Sequence, residues 1–319
     1  MKISIDRISS VAAAAAHNAF TGLCRFQGRY YLAFRSAASH MATDGVITVL
    51  VSDDGNAWRA WTVLSAGRER DLRDPKLIVF QDRLLLFAAI RDRNRTGRES
   101  RCYQLQPDGE GNQLPLTGIP ARYWLWGVAN DRNHRLYGSA YLQTGTTFQC
   151  RLLYSSDGCR WQEIGPLPWT AGETALDCAD DGSVYGLSRL DIPPFQPEYF
   201  HWQPPAARPA SHRRLPVVLH GPCLKRYPHG SLLIGREWPV DQAEAGPRRV
   251  AMHFLHDDGR LESLGALPSG GDCSYAAVCP LNDSQALVSY YSSHEAGRTG
   301  VYVARLSIDW QAGSTVRPD

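Results

Sequence analysis

The sequence predicts an all-β chain folded as a six-bladed β-propeller with four-stranded antiparallel blades, on three observations. One hairpin pattern recurs six times, a seven-residue turn recurs between copies, and the composition suits short strands joined by tight turns. Among 319 residues there are 28 Gly, 20 Pro, 9 Trp, 14 Tyr and 9 Phe, a profile that does not fit a helical bundle. Charge is nearly balanced, with 34 Lys+Arg against 32 Asp+Glu for a net of +2. No long like-charge run marks a tail, so no nucleic-acid partner is expected. No stretch approaches the run of about 18 apolar residues that a membrane-spanning helix requires, so no membrane partner is expected either.

Each copy is an apolar strand, a polar turn and a second apolar strand ending on a polar side chain. Ala19–Arg35 turns at Gln27-Gly28-Arg29, Pro75–Arg91 at Gln81-Asp82-Arg83, and Trp124–Tyr141 at Asn130-Asp131-Arg132-Asn133. Thr174–Arg189 turns at Asp180-Asp181-Gly182, Gly221–Glu237 at Pro228-His229-Gly230, and Tyr275–Ser292 at Asn282-Asp283-Ser284. The copies recur at intervals of about 50 residues, which leaves room for about four short strands in each. Secondary hairpins such as Val46–Val51 and Arg249–Leu255 lie between them. The last strand, Val301–Ile308, is placed to pair with Lys2–Ile8, closing the ring and removing exposed sheet edges. One domain is expected over residues 1–319.

Ser52-Asp53-Asp54-Gly55-Asn56-Ala57-Trp58 and Ser155-Ser156-Asp157-Gly158-Cys159-Arg160-Trp161 share the spacing S-x-D-G-x-x-W. Physically this is a hairpin turn: the Asp caps turn amides, the Gly takes a positive φ, and the Trp packs beneath. His256–Leu261 is a degenerate third copy. At the N-terminus, Val11–Ala16 is too short and weakly apolar for a signal peptide, and Asp6 and Arg7 interrupt the region before it. A cytoplasmic monomer is expected. The eight cysteines form no CxxC pair, so they read as buried thiols rather than a zinc site. No nucleotide-binding glycine fingerprint and no HExxH occurs, and neither a cofactor nor a metal is expected.

In a propeller the innermost strands begin beside the central axis. Their starts here carry His17-Asn18, Arg73-Asp74, Trp126-Gly127, Glu173, His220-Gly221 and Asp272–Tyr275. The flanking strand ends add Arg35, Arg91, Arg189, Arg236-Glu237 and His294. So many charged and imidazole groups near an axis point to a wet functional cavity, because buried unpaired charge is costly. Arg73-Asp74 also reads as an ion pair closing a strand, Glu173 with Arg189 as an ordinary cross-strand pair, and Arg93–Arg101 as a solvated loop.

The S-x-D-G-x-x-W turns resemble the Asp-boxes of sialidases and related BNR-repeat proteins, which are six-bladed propellers. Glu173–Arg189 resembles the sialidase strand pair with Glu at its start and Arg at its end. Asp272-Cys273-Ser274-Tyr275, followed by Leu287–Tyr291, resembles the segment carrying the sialidase nucleophilic tyrosine. The resemblance implies Tyr275 as nucleophile and Glu173 as its base. A phenol of pKa near 10 needs such a carboxylate to attack at neutral pH. It also implies Arg189 and Arg236 as two of three arginines gripping a sugar carboxylate.

Two positions depart from the family. His17-Asn18-Ala19-Phe20 stands where sialidases carry the first arginine, in an Arg-Ile-Pro-like segment. The family's acid/base aspartate falls in Ser39–Asp44, which offers His40 or Asp44. Arg73-Asp74-Pro75 resembles a segment of five-bladed glycosidases in which the Asp stabilises the transition state, although six repeats argue against that fold. The expectation is a carbohydrate partner and a glycoside hydrolase acting on an acidic or unusual sugar. Tyr275, Glu173, His40, Asp44 and Asp74 are its candidate catalytic groups. Arg35, Arg73, Arg91, Arg189, His220, Arg236, Glu237, Asp272, Tyr291 and His294 are its candidate substrate contacts. A lyase-type β-elimination at a uronic acid and a non-catalytic glycan- or protein-binding propeller stay open.

Overall fold

The structure is a computed structural model and describes residues 1–92, 98–240, 246–295 and 297–311. Its strands form six separate four-stranded antiparallel sheets. The N-terminal strand β1 (Lys2–Ala12) belongs to the last blade. Blade 1 is β2 (His17–Phe26), β3 (Arg29–Ala37), β4 (Val46–Ser52) and β5 (Arg59–Leu64). Blade 2 is β6 (Arg70–Phe80), β7 (Arg83–Asp92), β8 (Arg98–Leu105) and β9 (Gly111–Leu114). Blade 3 is β10 (Trp124–Asn130), β11 (Leu136–Thr144), β12 (Thr147–Ser155) and β13 (Gln162–Pro166). Blade 4 is β14 (Thr174–Cys178), β15 (Val184–Ser188), β16 (Glu198–Trp202) and β17 (Ser211–Arg214). Blade 5 is β18 (His220–Tyr227), β19 (Gly230–Glu237), β20 (Arg249–His256) and β21 (Leu261–Leu267). Blade 6 joins β22 (Cys273–Asn282), β23 (Gln285–Ser292) and β24 (Gly300–Asp309) to β1.

The predicted six-bladed architecture is therefore the observed one, and each sequence hairpin is the inner pair of a blade. The ring closes as expected, with Ile3 opposite Ile308 and Ile8 opposite Ala304. Arg98–Arg101 departs from its reading as loop: these residues open β8, with Arg98 opposite Arg91 and Arg101 opposite Ala88. Residues 93–97 of that reading lie outside the described residues. Among the described residues no helix is long and apolar enough to cross a membrane.

The turns between third and fourth strands behave as their spacing predicts. Asp54 Oδ1 accepts from the amides of Asn56 (2.8 Å) and Ala57 (3.0 Å), and Asp157 Oδ1 from those of Cys159 and Arg160, both at 2.8 Å. Gly55 and Gly158 take φ of 75° and 81°. Trp161 is buried and packs edge-on to Phe87 of the neighbouring blade. These turns lock the blades at the end of the ring remote from the starts of the inner strands.

Apolar side chains of neighbouring blades interlock as separate clusters: Val49 and Ile90 between blades 1 and 2, Phe87 and Leu153 between blades 2 and 3, and Phe254 and Tyr290 between blades 5 and 6. Inner strands approach closely at Gly127. A Cβ there would run into the Thr174 carbonyl oxygen and Ser139 Oγ, and Ser139 Oγ itself bridges the Gly127 amide and Thr174. Gly127→Ala is expected to lower unfolding free energy by about 1–3 kcal/mol, an overpacking cost. Chemical denaturation measures it; an unchanged midpoint would contradict this packing of blades 3 and 4.

Candidate functional site at the propeller axis

Four inner strands share a backbone device. Their pairing slips between Ala19 and Gly22, Arg73 and Lys76, His220 and Cys223, and Ser274 and Ala277. Within these bulges Phe20, Asp74, Gly221 and Tyr275 take φ of 62°, 54°, 56° and 48°. Such φ values are uncommon for side chains other than Gly, and bulges re-aim the residues they carry. Here they bring three side chains together from three blades. Phe20 meets Tyr275 edge-on at 4.8 Å, while Trp126 lies 6.2 Å from Tyr275 and donates from Nε1 to Asp74 Oδ2 at 3.2 Å. The fourth position has to be glycine, because a Cβ on Gly221 would sit 2.8 Å from the Tyr275 ring.

Tyr275 donates its hydroxyl to Glu173 Oε1 at 2.5 Å, and Arg189 Nη1 donates to Glu173 Oε2 at 3.1 Å. Burial raises the pKa of Tyr275 well above the usual phenol value, with Glu173 and Asp74 adding to the shift against Arg189. Burial also pushes Glu173 upward, but Arg189, the Tyr275 hydroxyl and Arg236 outweigh it and hold the carboxyl below its ordinary range. Asp74 moves the other way. Burial and the nearby Glu173 raise it, opposed by Arg73. The two carboxyls are thus shifted in opposite directions by their surroundings.

Asp272 organises the opposite wall. Its Oδ2 accepts from His17 Nε2 at 2.9 Å and from His40 Nδ1 at 2.8 Å, and its Oδ1 from the Tyr291 hydroxyl at 2.9 Å. Burial raises the Asp272 pKa, but the hydrogen bonds from His17 and His40 outweigh it and leave the carboxyl far below its ordinary value. Arg35 Nη1 lies 3.4 Å from His17 Nδ1, which makes that nitrogen the acceptor and leaves Nε2–H for Asp272. Bonding through Nδ1 leaves the Nε2 of His40 uncommitted. The His40 side chain is 38% exposed, and its ring meets Phe20 at 5.3 Å. Phe20 thus packs against both the Tyr275 ring and the His40 imidazole.

One ligand atom from each of His17, His40 and Asp272 lies within 4.8 Å of the others, a metal-ligand grouping that the sequence reading did not expect. The surroundings disfavour a dication. Arg35 stands at 3.4 Å from His17 and Arg236 at 3.8 Å from Asp272, and both imidazoles already hydrogen-bond the Asp272 carboxylate.

Three of the predicted substrate arginines gather elsewhere. Arg35 Nε, Arg73 Nη1 and Arg91 Nη2 lie 2.5, 3.3 and 3.2 Å from the carboxylate of Asp71, whose side chain is 0% exposed. Arg35 then donates to the carbonyls of Ser39 (3.0 Å) and Ala42 (2.9 Å), and Arg91 to that of Met41 (3.0 Å). Arg35 and Arg91 therefore tie down the segment that carries His40. Gly45 ends that segment beside Asp71, where a Cβ would run into Asp71 Oδ1 and Arg35 Nε. Arg73 stays nearer the axis, its guanidinium 4.6 Å from the centre of the Phe20 ring.

The remaining predicted residues divide. Arg189 and Arg236 are near each other and near Tyr275; Arg189 also holds Asp191 at 2.5 Å. His220 is fully buried beside them with its ring edge-on to Trp238 at 4.6 Å. Asp44 is not brought to the cluster, because its exposed carboxylate caps the Ala38 amide. Glu237 turns to Arg249 and His253, at 2.8 and 2.9 Å. His294 bonds Ser292 Oγ at 2.9 Å, with its ring tilted against Tyr302 at 5.0 Å. Sequence reasoning missed Asp71 and the part played by Phe20. Asp71 was detectable, since it sits two residues before Arg73 and thus on the same strand face.

No protein-family model matches the sequence, and comparison with curated protein sequences finds no match. Solved structures do match. A protein of unknown function from Dyadobacter fermentans superposes with a TM-score of 0.82 at 16% identity, over 96% of this chain and 99% of that one. Trypanosoma rangeli sialidase with the inhibitor DANA gives 0.68 at 13%, over 92% of this chain and 55% of its own. The Hadza microbial sialidase Hz136 gives 0.69 at 14%, over 93% and 66%. The chain thus has the six-bladed propeller fold seen in sialidases, and spans between half and two-thirds of the length of those sialidases.

Two outcomes follow from this geometry. Asp71→Asn strands buried guanidiniums and is expected to cost about 3–5 kcal/mol, with faster amide exchange over 39–45; retention of wild-type stability would contradict the assignment. His220 is held well below the usual histidine pKa by burial first, then by Arg189, Arg236 and Arg248. The unfolded chain therefore binds a proton that the folded chain does not. Stability should fall as pH drops below about 6.5, by up to about 1.4 kcal/mol per pH unit for this group. His220→Phe should flatten the slope of stability against pH by one proton.

Proposed function

We propose that the protein is a retaining glycoside hydrolase acting on an anionic sugar, with Tyr275 as nucleophile. The observation that carries this reading is the buried 2.5 Å hydrogen bond from Tyr275 to a Glu173 carboxylate held ionised by Arg189. Tyr275 Oη attacks the anomeric carbon while its proton passes to Glu173 Oε1. The bond to the leaving oxygen breaks as His40 Nε2–H protonates it, with Asp272 fixing the other ring nitrogen. A water molecule then gives its proton to His40, attacks the same carbon and releases Tyr275, which recovers its proton from Glu173. Arg236, whose guanidinium lies near Tyr275 and 3.8 Å from Asp272, would take the sugar carboxylate, with Arg189 beside it. The segment His17–Phe20 carries no arginine, and the guanidinium nearest Phe20, that of Arg73, is engaged by Asp71 and Asp74, so the anionic group would meet Arg236 and Arg189 alone. This favours an acidic sugar other than one whose carboxylate needs a three-arginine grip.

One feature supports an elimination at a uronic acid as the second reading: Tyr275 is kept protonated, as an acid for the leaving oxygen must be, and His40 could then serve as base. Tyr275→Phe and Glu173→Gln are each expected to lower kcat by at least about a hundredfold, with binding of a sugar product retained by calorimetry. His40→Gln should lower kcat most for substrates with poor leaving groups, and an activated aryl glycoside should be spared. An unsaturated, ultraviolet-absorbing product would replace hydrolysis by elimination. Full activity of Tyr275→Phe would reject both readings.

A further inference from the structure

A cavity of about 630 Å³ opens on the face opposite Tyr275. All six innermost strands wall it, over the stretches where they run away from the bulges toward their turns. Its lining includes Leu23, Val128, Leu176, Leu224 and Ala277. The thiols of Cys223 and Cys279 add to this apolar wall, since burial pushes them up to about 12 and about 11 and keeps them neutral.

The cations on the wall differ in how they are matched. Lys225 pairs with Asp177 at 2.9 Å, Arg132 pairs with Asp180 at 2.6 Å, and Arg25 is exposed to water. Lys76 is half-buried, and among the described residues it has no hydrogen bond or ion pair; its ammonium lies 4.0 Å over the Trp126 ring. Burial lowers its pKa, against the opposing influence of Asp74. The bulge at Asp74 sets this arrangement. Trp126 then forms the partition, donating from its edge to Asp74 and offering its face to Lys76.

We propose that this cavity is a second binding site, for an organic monocarboxylate with an apolar body. The carboxylate meets the Lys76 ammonium at the inner end, and the hydrocarbon lies along Leu23, Val128 and Leu224. One ammonium without an arginine fork suits a single negative charge better than a phosphate. The apolar wall requires a body that leaves water. The site does not rest on the glycosidase reading, because none of the groups assigned to bond-breaking lines it.

Hexanoate, hexanol and inorganic phosphate are suitable probes, measured by isothermal calorimetry and saturation-transfer NMR on the full chain. Hexanoate is expected to bind the wild type and to bind Lys76→Met at least about tenfold more weakly, the loss of one charge-assisted contact. Hexanol should not distinguish the two proteins, phosphate should not bind, and Tyr275→Phe should keep hexanoate affinity. Ala277→Leu, which leaves the ammonium in place but fills the cavity, should also abolish hexanoate binding. Absence of hexanoate binding to the wild type, equal affinity in folded Lys76→Met, undiminished affinity in folded Ala277→Leu, or phosphate binding as tight as hexanoate would each overturn the proposal.

Discussion

The carboxylate of Asp71 has no access to water and stands against three guanidiniums, from β3, β6 and β7. Removing charges from water is expensive, and only good pairing geometry returns that cost. Here one anion cannot neutralise three cations alone, so the surplus is distributed. Arg35 and Arg91 reach the carbonyls of Ser39, Met41 and Ala42, and Arg73 reaches toward Asp74 and the Phe20 ring. The segment that bears His40 is thereby fastened from beneath, and its imidazole arrives at Asp272. A charge cluster buried in blades 1 and 2 thus determines where the His40 imidazole stands at the axis.

The bulged inner strands supply the other half of the arrangement. A regular strand alternates its side chains, which would leave consecutive residues such as Arg73 and Asp74 on opposite faces. Left-handed residues at Phe20, Asp74 and Tyr275 break that alternation and bring an aromatic ring, a carboxyl and a phenol into one space. The space is dry enough to separate the two carboxyls: Glu173 is kept ionised by Arg189 and the Tyr275 hydroxyl, whereas Asp74 is pushed toward its neutral form by burial. Trp126 closes it below and shields the axis from the cavity on the other face.

The blade plan was legible because a propeller repeats its hydrophobic pattern, and repetition survives in sequence where single motifs fade. The pairing of Tyr275 with Glu173 was legible through its resemblance to a known strand arrangement. Which arginines are tied into the fold was not. Arg35, Arg91, Arg189 and Arg236 all end inner hairpins, and sequence position alone treats them alike. What separates them is Asp71, a carboxylate supplied by a different blade from Arg35, and such a partner depends on how blades pack. Asp44 and His40 were equivalent for the same reason, until Asp44 capped Ala38 and His40 met Asp272 across the ring. Glu237 and His294 lie beside residues of the cluster in sequence, yet the strand alternation and their own partners turn them away.

The most direct measurement is mass spectrometry of the intact protein and its peptides after incubation with a fluorinated glycosyl fluoride of an acidic sugar. Such a reagent forms the covalent intermediate readily and releases it slowly. A glycosyl adduct confined to the peptide containing Tyr275, and lost in Glu173→Gln, is the predicted result. Hydrolysis of the parent glycoside with no adduct, or with an adduct on another side chain, would contradict Tyr275 as the nucleophile.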